Sequence, residues 1–284
     1  MGNVRIVADS TCDLSPELIA NYGITIIPLC IIMDGKSYYD WEETTPEEIF
    51  AWADEHKTTP GTAAVTFEIL EQRLTPMIEA GDDIIFLGIS EDMSTTCNVV
   101  RMFAEEKEYK RLFVVNSMNL STGIGLQVLK AAEMAAEGAT AEEIVEAIEA
   151  ARDRVRASFI VDTLTYLARG GRCSAVAAFL GNALKIHPMI AVKNGKMGVA
   201  KKYRGNMTSS MERYMNDLRE ELANAETKRV FITHPTGDRE LPERARKFLE
   251  ELGIFDEICE TFAGGVISSH CGPGTIGILF YVKE

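Results

Sequence analysis

The chain has 284 residues, 46% hydrophobic and 25% charged, ordinary values that exclude a disordered, collagenous or low-complexity protein. Its net charge of −14 repels phosphate backbones and speaks against nucleic acid as a partner. The charge is uneven: residues 39–110 hold 17 acids against 5 bases, while residues 152–214 hold 12 bases against 3 acids, a basic island set apart from the acidic stretch. The opening MGNVRIV lacks the apolar core of a secretory signal. The longest apolar run, Ile24 to Met33, is interrupted by Pro28 and is shorter than a membrane span requires. Six scattered cysteines follow no zinc spacing and read as reduced thiols, so the expected location is the cytoplasm.

In chain order, β-branched runs predict strands at Val4–Ala8, Ile24–Met33, Ile84–Ile89 and Leu112–Asn116. Helices are predicted between them: from Ser15-Pro16 to about Asn21, from Thr45-Pro46, over Phe67–Ala80, Ser94–Tyr109 and Thr122–Glu137, and after the capping box Thr140-x-x-Glu143. Alternating strands and helices predict a mostly parallel α/β domain over residues 1–156. The second half carries strand patterns at Ala157–Val161, Pro188–Lys193, Lys196–Tyr203, Arg229–Thr233, Glu257–Thr261 and Ile276–Val282, with the hairpin signal Asn194-Gly195. Helices are predicted at Thr163–Leu167, Ala175–Leu184, Ser209–Ala223 and Leu241–Leu252. This pattern predicts an α+β domain over residues 157–284, with a ligand pocket between the two domains.

Several segments place chemistry-bearing groups on turns. Asp9-Ser10-Thr11 follows the first strand, where open α/β sheets build sites, although Asp13 or Ser15 also reads as a helix cap. Thr62 sits after Pro60-Gly61, in a loop before a helix. Ser94 lies in Gly88–Thr96, entering a helix whose exposed amides suit an anion, or simply caps it. Gly170-Gly171 places Arg172 at a helix start within the basic island. His270 precedes Cys271-Gly272-Pro273-Gly274, which reads as a rigid turn before the last strand. If that segment is extended, His270 and Cys271 point to opposite faces and make a poor catalytic pair. No metal spacing, phosphate-binding loop or dinucleotide fingerprint is present, so neither metal nor cofactor is expected.

The motifs Val7–Leu14, Thr62–Thr66, Gly88–Thr96, Leu164–Arg172 and His270–Gly277 occur in an order that resembles the DegV family, bacterial fatty-acid-binding proteins that act as carrier subunits of fatty acid kinase. The resemblance runs nearly end to end and implies one long-chain fatty acid, such as palmitate, between the domains. By motif, Thr62, Ser94 and His270 would hold its carboxylate, and Arg172 and Arg204 would serve docking of the kinase or its acyl phosphate. It further implies a non-catalytic monomer with transient contact to a membrane surface. Two positions depart from the family pattern: Ala63 replaces a usual serine, and Thr95 adds a Cβ where glycine is usual. A protonated His270 would help hold the carboxylate, and Phe179, Leu180 and Ile186 would line the acyl chain. The alternative is a hydrolase or acyl transferase using His270 with Ser94 or Cys271.

Overall fold

The computed structural model describes residues 2–173, 186–235, 237 and 239–284. Four parallel strands form the first sheet, in the order β2 (Thr25–Ile27), β1 (Val4–Asp9), β6 (Asp83–Gly88) and β7 (Leu112–Asn116). Helices α1 (Pro16–Tyr22), α3 (Phe67–Glu79), α4 (Thr96–Glu106), α5 (Thr122–Ala136) and α6 (Ala141–Ala151) alternate with them. Their starts follow the sequence closely. Ser15 accepts from the Leu18 amide with Pro16 in the first turn, and Thr140 and Glu143 close the anticipated capping box.

A second sheet has six strands, in the order β10 (Lys196–Arg204), β9 (Ile186–Lys193), β8 (Val155–Ile160), β13 (Ile276–Val282), β11 (Ala225–His234) and β12 (Glu257–Phe262). Its pairings are antiparallel except β11–β12, which helix α9 (Glu240–Leu252) connects in parallel. Helix α8 (Met207–Ala223) links β10 to β11, and α7 (Thr165–Gly170) follows β8. Asn194 and Gly195 form the β9–β10 turn, both with positive φ, at 50° and 77°. Such a two-residue turn matches the twist of its strands, and glycine reaches that φ without strain.

One apolar run serves two sheets. The Ile24–Met33 segment, expected as a single strand, divides into β2 and β3 (Cys30–Met33), because Pro28 has no amide to continue a ladder. β3 joins a separate antiparallel sheet of order β4 (Lys36–Tyr39), β3, β5 (Gly61–Ala63), with α2 (Pro46–His56) between β4 and β5. Neither β4 nor β5 is evident in the sequence, since each is only three or four residues long. The helix anticipated at Ala175–Leu184 lies outside the described residues.

Helix α5 lies between the two large sheets, packed against β1 and β6 on one side and β8 and β13 on the other. Its buried positions run without a break from Thr122 to Leu129, as a helix with sheets on two faces requires. A single apolar cluster therefore includes Ile6, Ala8 and Ile85 from one sheet and Phe159, Phe231 and Leu279 from the other. Gly195→Ala places a Cβ at positive φ and 2.7 Å from Ser90 Oγ. It should lower stability by about 1–3 kcal/mol, read as a fall in the urea midpoint.

Candidate functional site

Three short structures converge where the large sheets meet: β5, the loop from Ile89 to Thr95, and helix α10 (Gly265–Cys271). β5 pairs antiparallel with β3, and the register sets Thr62 opposite the fully buried Ile31. Residues directly opposite share a face, so the Thr62 hydroxyl points inward. There Thr62 Oγ1 lies 2.8 Å from His270 Nε2, across 208 positions of sequence. Thr62 thus belongs to a strand rather than a pre-helical loop.

His270 is in the last turn of α10, so the anticipated rigid turn begins one residue after the helix ends, at Gly272. His270 and Cys271 consequently both line the same cavity instead of facing apart. The Nδ1 atom of His270 is buried without a hydrogen-bond partner. It faces Gly170, where a Cβ would stand 2.2 Å from that nitrogen, which explains the first glycine of the Gly-Gly-Arg motif as a close approach.

The cavity encloses ≈ 490 Å³ and contains Thr62, Ser94, Arg172 and His270 in its walls; Arg204, at the exposed end of β10, is not one of them. Leu29, Ile89, Leu120, Val266 and Ile267 give it an apolar interior. Leu120, Ile267 and Cys271 also border a deeper apolar void of ≈ 20 Å³ against Phe159 and Leu279. Ser94 Oγ pairs with Thr96 Oγ1 at 2.9 Å and accepts from the Thr96 amide at 3.3 Å in the turn that enters α4, whose N-cap is Thr95, and Ser94 also lines the cavity. Thr95 has φ −88°, an ordinary value for threonine, and its Cβ introduces no backbone strain. Of the anticipated lining residues, Phe179 and Leu180 lie outside the described residues, and Ile186 opens β9 without reaching this cavity.

Electrostatics at the site differ from the sequence expectation in two respects. Burial, reinforced by the positive charge of Arg172, pushes the His270 pKa down to about 4, so the ring is neutral at neutral pH rather than protonated. The acidic stretch and the basic island also meet instead of lying apart. Lys196 Nζ is 3.4 Å from Asp92 Oδ1, Ser90 Oγ donates to Gly195 O at 2.7 Å, and Arg172 Nε donates to Met93 O at 3.4 Å. Arg172 follows α7 and its left-handed Gly171, with Nη1 donating to Gly170 O at 2.8 Å. These contacts bring Glu91 and Asp92 to the cavity rim beside the cations.

Catalytic pairs are not assembled. His270 bonds Thr62 and Ser94 bonds Thr96, while burial, with Asp13 and Cys173 nearby, raises the Cys271 thiol to about 12. A thiol so far above neutrality is not a nucleophile. No metal-ligating cluster is present among the described residues.

The Asp9-Ser10-Thr11 motif, a candidate site from its position, has its polar atoms engaged internally. Asp9 accepts from the Thr11 and Ile89 amides and from Thr11 Oγ1, and Ser10 Oγ donates to Asp40 Oδ2. Asp13, Asp40 and Asp9 are buried together with no basic partner among the described residues, and desolvation raises Asp9 and Asp40 to about 6 and Asp13 well above the carboxylate range. Asp40 carried no signal in the sequence beyond being one acid in an acidic stretch.

A largely apolar cavity with hydroxyls and a neutral imidazole in its walls can hold a ligand that has an apolar body and a polar end. The family model described as "Uncharacterised protein, DegV family" matches residues 3–283, and the chain belongs to the DegV family. A DegV domain-containing protein of Caldanaerobacter subterraneus subsp. tengcongensis is 32% identical over 285 residues, covering 100% of both chains. A fatty acid-binding protein of Thermotoga maritima is 31% identical over 288 residues, covering 99% of this chain and 98% of that one. The solved structure of a fatty-acid-binding DegV family protein from Thermus thermophilus superposes with a TM-score of 0.90 at 31% identity, covering 99% of this chain and 100% of that one. The expected fold class, mixed α/β with a parallel sheet in the first half and a second sheet in the other, is thereby established.

The site yields a pH prediction with a definite sign. An unfolded histidine gains its proton near 6.5 and folded His270 near 4, so the stability it contributes is present above about 6.5 and lost as pH falls through about 4. Imidazole resonances followed by NMR should show His270 still neutral at pH 5.5. The titration point should move up when Arg172→Ala removes the nearby charge.

Proposed function

We propose that this protein binds a long-chain fatty acid such as palmitate in the cavity and carries it without catalysing its conversion. The observation that carries this reading is the Thr62–His270 pair at the edge of an apolar cavity of ≈ 490 Å³, within the ~300–1,000 Å³ range of ligand pockets. The names of two relatives, from Thermotoga maritima and Thermus thermophilus, support the same ligand class. Burying about fifteen methylenes at ~0.8 kcal/mol each contributes roughly 12 kcal/mol before ordering costs. An unpaired buried carboxylate would cost several kcal/mol, and neutral donors offset that cost.

Thr62 and Ser94 supply those donors, and His270 supports them. With the ring proton on Nε2, Thr62 accepts from His270 and turns its own hydroxyl hydrogen to the ligand, a chain in which each bond polarises the next. The acyl chain then follows Ile267 and Leu120 towards the apolar void. In this proposal the carrier is a monomer that collects the acid at a membrane surface and presents its carboxylate to a fatty acid kinase, with Arg172 and Arg204 on the docking face. Arg172 stands at the rim, close enough to meet an acyl phosphate, whereas Arg204 lies on the exposed β10 end of the same basic island.

The combined Thr62→Ala and Ser94→Ala protein should retain its fold by circular dichroism and lose copurifying fatty acid on denaturing extraction and mass spectrometry. Stoichiometric lipid in that variant would refute the carboxylate assignment. Arg172→Ala with Arg204→Ala should keep bound lipid but slow its ATP-dependent phosphorylation by a fatty acid kinase. Unchanged phosphorylation would remove the docking role.

A further inference from the structure

Asp13 and Asp40 come from different parts of the first half, yet both end beneath the first turn of α10. Asp13 Oδ1 accepts from the Gly264 amide and Asp40 Oδ1 from the Gly265 amide, each at 2.8 Å. The second oxygen of each is also engaged. Ser121 Oγ donates to Asp13 Oδ2 at 2.6 Å and Ser10 Oγ to Asp40 Oδ2 at 2.8 Å, while Ser10 Oγ accepts from the Leu29 amide at 3.1 Å. Neither carboxylate is free to rotate away. The approach is tight: a Cβ on Gly265 would stand 2.5 Å from Ile31 Cδ1 and 3.0 Å from Asp40 Oδ1.

A helix cap alone needs no such arrangement, since a serine or asparagine on the surface performs it. Here two carboxylates are buried with no cation against them among the described residues, and the helix they grip is short. It rises about 1.5 Å per residue, so Gly265 and His270 lie roughly 7.5 Å apart along its axis. An axial shift at its first turn therefore reappears at its last. Asp40 also follows β4 directly, in the sheet whose third strand carries Thr62. It thus belongs to the layer holding one member of the Thr62–His270 bond and grips the helix holding the other.

We infer that Asp13 and Asp40 are positioning residues of the binding site, fixing α10 so that His270 Nε2 meets Thr62 Oγ1. The functional meaning rests on the fatty-acid reading; the positioning itself can be read without ligand. The experiment follows the His270 ring nitrogens by NMR in the ligand-free protein and the affinity for a fluorescent fatty acid. In Asp13→Ala and Asp40→Ala the His270 resonance should shift and affinity should fall roughly tenfold or more, as small misplacements at a site do. Asp13→Asn and Asp40→Asn, which keep one acceptor oxygen, should restore both.

Asp82→Ala, which removes a bond to the Asn3 amide outside the cavity walls, should leave the His270 resonance in place. A folded Asp40→Ala protein with an unchanged His270 signal would overturn the inference, as would an equal shift in Asp82→Ala. If the alanine variants do not fold, Ser10→Ala and Ser121→Ala loosen one oxygen each, and an unmoved His270 signal in both would overturn it. A shifted resonance with no fatty-acid affinity in the unmodified protein would retain the positioning and refute only the fatty-acid reading.

Discussion

Three carboxylates, those of Asp9, Asp13 and Asp40, sit in the interior with no lysine or arginine against them among the described residues. Burying one such group without partners costs several kcal/mol, so the fold must bring donors to all three at once. It does so with amides and hydroxyls from separate elements: Ile89 beyond β6, Ser121 before α5, and Gly264 and Gly265 at α10. The turn after β1 reaches Ile89, Ser121 and Gly264 directly through Asp9 and Asp13, and through Ser10 it holds Asp40, which takes the Gly265 amide. Folded Asp9 and Asp40 titrate near 6 against an ordinary 3.8, so the folded state holds their protons more tightly. The associated stability is present below about 3.8 and is lost as pH rises through about 6, opposite in sign to the contribution of His270.

Local signals in the sequence were read correctly where local physics decides. Ser15, Thr140-x-x-Glu143 and Asn194-Gly195 act through near neighbours, and each forms the cap or turn its chemistry implies. The parallel order of the first half followed from strand and helix alternation, since parallel strands need long crossovers. Pro28 was visible as an interruption, but its effect, sending β2 and β3 to different sheets, depends on which partners lie on each side. Three-residue β5 has too little pattern to identify. The glycines and proline after Cys271 do form a turn, yet the preceding residues form α10, whose first amides bond to Asp13 and Asp40, partners far away in sequence.

Of the site, Thr62, Ser94, Arg172 and His270 were recognised individually by motif and are brought to one cavity. What the sequence did not disclose was their electrical state. A histidine near arginine and apolar walls stays neutral, and that outcome depends on tertiary burial rather than on flanking residues. Net charge likewise describes the molecule poorly at this scale. The acidic and basic stretches are distinct in sequence, but Asp92 and Lys196 bring them together at the rim, leaving the interior to uncharged donors. Among the described residues, Arg172 is the one lysine or arginine in the cavity wall.

The Thr62–His270 bond spans 208 positions, and α10 lies directly before β13. β13 pairs with both β8 and β11, closing the sheet against which α5 packs. During synthesis the first half leaves the ribosome with its hydroxyls in place but without the helix that completes the cavity. The cavity is consequently complete only once α10 has emerged, and no nascent fragment short of α10 holds its finished walls.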